Sequence, residues 1–122
     1  VFATADDLAR LLQMWLCGGV FDGRCILSEA VVAKFTQRAH LAPNSTWALG
    51  WDTVSAGGSS TGRYFSERSF GSLGFTGTSI WADPDRDLGV VLLTNRVHPT
   101  RDNWQIKALR PEFHNAVSEA LV

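Results

Sequence analysis

Apolar residues near the start of the chain recur at Leu8, Leu11, Leu12, Trp15 and Leu16. Those offsets share one face of an α-helix. Thr4-Ala5-Asp6-Asp7 precedes them. The Thr4 hydroxyl can cap a free backbone N–H, and the two carboxylates lie where the helix dipole favours negative charge. Gly18-Gly19 ends this helix. Val20 to Leu27 reads as a turn and a short extended piece. Ser28 is a second N-cap, opening a helix to about Thr36 with Val31, Val32 and Phe35 as its apolar side. Gln37 to Thr46 reads as a loop, and the aromatic stretch Trp47 to Val54 as a strand. Ser55 to Gly62 is rich in Gly and Ser and reads as flexible.

Phe70 to Ala82 reads as one strand interrupted by glycines. Asp83-Pro84-Asp85-Arg86-Asp87 is a hairpin turn, because Pro presets φ and Asp side chains bond nearby backbone. Leu88 to Thr94 is a near-continuous apolar run, suited to a strand buried on both faces. Such a strand wants neighbours on both sides, and the chain offers few. Val97 to Trp104 is irregular. A last helix is expected from about Pro111 to Leu121, with Phe113, Val117, Ala120 and Leu121 inward. The order helix, helix, strand, strand, strand, helix predicts an α+β fold, an antiparallel sheet with helices packed against it. No repeat or internal boundary appears, so residues 1–122 are expected to form a single domain.

The chain has 122 residues, 45% of them hydrophobic, which suits one core. Five Trp and seven Phe add a large apolar payload. The net charge is -1 and the charges are scattered. That pattern gives no footprint for nucleic acid or for an anionic membrane, and no apolar run is long enough to span a bilayer. Val1 is not a natural initiator, and the start reads as a cut. Cys17 and Cys25 lie across the Gly-Gly turn. A disulfide is conceivable there, but two cysteines make no framework, and free, mostly buried thiols are expected.

Four segments together resemble the family of class C β-lactamases, penicillin-binding proteins and D-alanyl-D-alanine carboxypeptidase-like esterases. They are Phe2-Ala3-Thr4-Ala5-Asp6-Asp7-Leu8-Ala9-Arg10, Ile26-Leu27-Ser28, Leu49-Gly50-Trp51, and Phe70-Gly71-Ser72-Leu73-Gly74-Phe75-Thr76-Gly77-Thr78-Ser79. Trp81, Asp83-Pro84 and Leu93-Thr94-Asn95-Arg96 follow the last of these. The resemblance implies the C-terminal portion of a β-lactamase-like domain. It also implies a serine hydrolase working through an acyl-enzyme without metal or cofactor, with a periplasmic or secreted setting.

In that family the site combines Ser-x-x-Lys, Tyr-x-Asn or Ser-x-Asn, and Lys/His-x-Gly. A serine needs a base to become nucleophilic, and the acyl transition state needs N–H donors for its oxyanion. The only lysines here are Lys34 and Lys107, and neither stands three positions after a serine. Tyr64 is followed by Phe65-Ser66, so it does not fit the second motif. The third motif falls on Ser72-Leu73-Gly74, with Ser72 in place of the usual Lys or His. Ser72 can hydrogen-bond but brings no charge. By the resemblance Gly74 allows close approach of a ligand and the Phe75 N–H serves the oxyanion. Thr76, Gly77 and Thr78 continue the edge on which a substrate lies. A bent strand packed tightly on a helix accounts for the same glycines. The chain alone is expected to be inactive.

Gly58-Ser59-Ser60-Thr61-Gly62 matches a nucleophile elbow, but no helix start follows it and the chain is short for an α/β-hydrolase sheet, so a flexible surface loop is expected. His40, His98 and His114 share no metal-ligand spacing. Arg96 could hold a substrate carboxylate, although pairing with Asp83, Asp85 or Asp102 is the commoner arrangement. Trp47, Trp51, Trp81 and Trp104 suit core and rim packing better than ligand stacking. The alternative to a hydrolase fragment is a free-standing, non-catalytic module that self-associates through an open sheet edge or an apolar helix-packing face.

Overall fold

The computed structural model describes residues 2–121. Helix α1 spans Ala5–Leu16. Thr4 caps it as expected and completes a reciprocal pair: Asp7 N–H donates to the Thr4 hydroxyl, and Thr4 N–H donates to the Asp7 carboxylate. Gly18 and Gly19 take positive φ. Gly19 N–H then donates to Met14 O and Gly18 N–H to Trp15 O, satisfying carbonyls that the helix end leaves free. The chain turns back through a small antiparallel hairpin, β1 Val20–Phe21 and β2 Arg24–Cys25. Asp22 and Gly23 at its tip both have positive φ, which matches the twist of such a ribbon. Helix α2, Glu29–Thr36, is capped by Ser28. Only Val32 of its apolar side is buried; Val31 and Phe35 stay more than a third exposed.

The main sheet has four antiparallel strands in sequence order: β3 Asp52–Thr53, β4 Phe70–Leu73, β5 Ser79–Asp83 and β6 Leu88–Leu92. Two strand expectations are corrected here. Trp47 to Val54 is not one strand, because Ala48 N–H bonds Trp51 O across Gly50 at φ +91° and only Asp52–Thr53 reaches β4. Phe70 to Ala82 is two strands, because Gly74 N–H bonds Thr78 O and reverses the chain. The 83–87 turn stands as expected, its Asp83 carboxylate accepting from Ser66 N–H, the Ser66 hydroxyl and Asp85 N–H.

Alternation along the strands gives each sheet face its own core. On one face Leu12, Trp15 and Leu16 of α1 meet Phe70, Ile80, Ala82 and Val91, with Ala48 and Trp51. Trp15, Trp51 and Phe70 stack edge to face with centroids 5.4–6.3 Å apart. On the other face Trp81, Val90 and Leu88 meet Phe65 and, from helix α3 (Ile106–Ala120), Phe113 and Val117. Trp81 and Phe70 are almost wholly buried, and each side chain contributes roughly 1.5–3 kcal/mol. The run at 88–94 thus has a helix over each face, but β6 is a sheet edge rather than an interior strand, and only Val90 is fully buried.

Helix α3 spans Ile106–Ala120, five residues earlier than expected, with Pro111 inside it. Its buried seam is Ile106, Arg110, His114 and Ser118. Phe113 and Val117 pack inward as expected, whereas Ala120 and Leu121 are exposed. Cys17 and Cys25 are free, as expected, but exposed rather than buried. Trp51 and Trp81 are core residues, and Trp47 and Trp104 lie more than half exposed. Among the described residues no helix is long and apolar enough to cross a membrane.

Candidate active-site wall

Strand β4 pairs with β3 only at Phe70 and Gly71, while its pairing with β5 continues to Leu73. Beyond Gly71, the β3 side of β4 is therefore an open edge carrying Ser72 and Leu73. From this end of β4 a groove of about 610 Å³ runs across the sheet towards β6, lined by Ser72, Leu73, Gly74 and Thr78 from this hairpin, by Ile80 and Leu93 further across, and by Phe2, Leu8 and Leu11 from the α1 end. Ser72 is half-buried and Leu73 is exposed. Burial on the side of α1 and openness at the strand edge give a wall with apolar character and free backbone groups.

The 74–78 turn follows directly. Gly74 is required for an internal reason, since a Cβ there would lie 2.0 Å from the Thr78 hydroxyl. Gly77, at φ +98°, closes the turn by donating to Gly74 O. Phe75 is 62% exposed at the tip, and its N–H has no acceptor among the described residues. The sequence-selected residues Ser72, Gly74, Phe75, Thr76, Gly77 and Thr78 are thus one contiguous feature.

Arg96 joins them with no carboxylate partner among the described residues. Its Nε donates to Phe75 O at 2.9 Å, and Nη1 donates to Arg101 O at 2.7 Å and Asn103 O at 3.0 Å. The guanidinium lies 4.7 Å from the Phe75 ring centroid and 4.5 Å from that of Trp104. The expected partners are engaged elsewhere: Asp83 with Ser66, Asp85 with Arg68, and Asp102 with Thr100. Arg96 therefore ties the turn to the 97–104 segment, and its backbone N–H adds a bond to Thr76 O.

Arg110 was invisible to apolar patterning. It is buried, and its guanidinium donates to Gly77 O, Gly74 O and Thr78 O at 3.1, 3.0 and 3.1 Å. Desolvation, and secondarily the charge of Arg96, lower its pKa from the ordinary arginine value. The four-residue spacing of Ile106, Arg110, His114 and Ser118 is the signal that could have exposed it, because a helical stripe need not be apolar.

The Gly58–Gly62 segment has no helix after it, but it is better tied down than expected. Thr61 is fully buried and donates to the Ser59 hydroxyl oxygen. His114 Nδ1 lies 2.8 Å from the Ser60 carbonyl, so the imidazole faces backbone and not a serine hydroxyl. Among the described residues no cluster of His, Cys, Asp or Glu could hold a metal ion.

The family model described as Beta-lactamase matches residues 1–110. This chain belongs to the beta-lactamase family. It is 37% identical over 103 residues to an N-acetylmuramyl-L-alanine amidase of Bacillus subtilis, covering 80% of this chain and 22% of that protein. It is 34% identical over 101 residues to a candidate D-alanyl-D-alanine carboxypeptidase of Salmonella enteritidis, covering 80% of this chain and 23% of that one. A crystal structure of a beta-lactamase from Mycobacterium bovis superposes with a TM-score of 0.78 at 25% identity, over 97% of this chain and 44% of that chain. The beta-lactamase-family chain thus spans under a quarter of these two curated relatives and under half of the structural neighbour.

Proposed function

We propose that this beta-lactamase-family chain forms one wall of a serine acyl-hydrolase site, acting on D-alanyl peptides, β-lactams or small esters, and that alone it turns nothing over. The observation that carries the reading is the open β4 edge ending in the 74–78 turn. An extended acyl substrate can add to such an edge by main-chain hydrogen bonds. Ser72, Gly74, Gly77 and Thr78 line its path, Thr76 and Arg96 hold the turn, and the Phe75 N–H is one of two donors an oxyanion requires. The nucleophile comes from sequence outside these residues, since no serine here stands three residues before a lysine. Ser72 at the motif's first position supports weaker carboxylate binding than a cation would give.

Two measurements test this. A fluorescent penicillin or a fluorophosphonate is expected to leave the chain unlabelled, and stoichiometric labelling overturns its inactivity. An N-acylated D-alanyl-D-alanine dipeptide is expected to shift the amide resonances of Ser72, Gly74, Phe75 and Thr78. Unchanged resonances at saturating dipeptide overturn the wall.

A second reading is a free-standing module that self-associates. The observation favouring it is that β6 lies at the edge of the sheet, with Leu93 exposed just beyond its end.

A further inference from the structure

We infer that Arg110 is a positioning residue for the oxyanion donor: by gripping the Gly74 carbonyl from behind, it aims and polarises the Phe75 N–H. The inference rests on the acyl-site reading above and adds to it a residue outside every motif of the site. Gly74 C=O and Phe75 N–H belong to one peptide unit. In a trans peptide they point in opposite directions within one plane. Whatever fixes the carbonyl therefore fixes the N–H.

Arg110 Nη2 lies 3.0 Å from Gly74 O, and Gly77 N–H holds the same oxygen from within the turn at 3.0 Å. The same guanidinium also takes Gly77 O and Thr78 O, at 3.1 Å each. Three carbonyls of one five-residue turn thus converge on one buried cation. Arg96 holds the next peptide unit, with Nε on Phe75 O at 2.9 Å. Both carbonyls flanking the Phe75 N–H are accordingly fixed by arginines.

The arrangement acts electrostatically as well as sterically. A cation on a carbonyl oxygen draws charge through the peptide unit and strengthens the donor at its other end. Arg110 has no carboxylate within ion-pair distance among the described residues, so no fixed anion offsets its field at the turn. Burial makes that field stronger than an exposed charge would give. A neutral side chain could fill the space, but it would neither orient the three carbonyls together nor polarise the donor.

The test compares isotope-labelled wild type with Arg110→Lys and Arg110→Met. In Arg110→Met the Gly74 carbonyl-carbon and Phe75 nitrogen resonances are expected to move upfield. Exchange of the Gly74 and Gly77 amides should accelerate on the order of tenfold or more while Trp81 and Val90 remain protected. Arg110→Lys should recover part of the resonance shift, because it keeps the charge and loses the fork. Binding of the N-acylated D-alanyl-D-alanine dipeptide should weaken in the same order.

Wild-type Gly74 and Phe75 resonances in a folded Arg110→Met chain overturn the inference. If that variant does not fold, a folded Arg110→Lys with wild-type resonances and exchange at the turn overturns it equally. A wild type that ignores the dipeptide refutes the wall, and the resonance comparison still decides whether Arg110 aims and polarises this N–H.

Discussion

His114 shows how far one buried side chain can set the response of the molecule to acid. Its ring is fully enclosed beside Phe65 and Phe113. Nδ1 faces the Ser60 carbonyl, which only accepts, so the neutral ring keeps its proton on Nδ1. Nε2 is buried with no partner among the described residues. A second proton there would have no acceptor. Burial accordingly pushes the pKa below its ordinary value of 6.5; the carbonyls of Ser60 and Arg110 oppose that shift and the Arg110 charge adds to it. The unfolded chain takes up a proton as pH falls through 6.5, whereas the folded chain resists it. Stability is therefore full above that value and declines below it, by at most about 1.4 kcal/mol per pH unit for one proton. Asp7 and Glu119 are held below the ordinary carboxylate values, Asp7 mainly by the Thr4 backbone N–H and Glu119 mainly by the Tyr64 hydroxyl, so their contributions are lost only in stronger acid. Urea midpoints taken between about pH 7 and pH 5 should fall for wild type and fall less for His114→Asn. Equal slopes in the two proteins would refute this role for His114.

At the level of elements, the central hairpin depends on a glycine whose reason is tertiary. A Cβ on Gly71 would meet the Trp81 ring at 2.4 Å and Ile80 O at 2.3 Å. The indole lies across the β4 backbone because nothing projects there. Gly71→Ala must displace a fully buried Trp or separate β4 from β5, and overpacking of this kind costs about 1–3 kcal/mol. The check is a lower denaturant midpoint with Trp81 fluorescence moved towards that of exposed indole; an unchanged midpoint would contradict it. The same glycine shows what was legible in advance. Local chemistry revealed the Thr4 and Ser28 caps, the Gly-Gly helix stop and the 83–87 turn, because each is decided by residues adjacent in sequence. The split of 70–82 into two strands was hidden, since the reversal at Gly74 depends on Thr78 and on Arg110 from a later helix. The early start of α3 was hidden because Pro111 resembles a first-turn residue and the buried seam is polar. The six turn and strand residues at 72–78 were found through resemblance, and Arg110 was found only by geometry.

Across the whole molecule, the sheet separates two cores and leaves the two long edges of its order unequal. The β3 edge is only two residues long and is followed by the open stretch of β4. The β6 edge runs five residues from Leu88, and Leu93 beyond it is 45% exposed on the groove that Phe2, Leu8 and Leu11 also line. Soluble proteins usually blunt such an edge with charge, proline or a bulge. Here Leu88-Gly89-Val90-Val91-Leu92-Leu93 carries none of the first two. Its outward N–H and C=O groups, unpaired among the described residues, and the adjoining apolar surface are a template for a further strand. If the module reading holds, that strand is β6 of a second copy, paired antiparallel about a two-fold axis so that both edges close at once. Sedimentation of wild type should then show mass rising with concentration, and Leu93→Lys should remain a monomer, because a charge at the edge must be desolvated on pairing. A wild-type monomer up to its highest soluble concentration removes this reading and leaves the hydrolase wall as the account of the open edges.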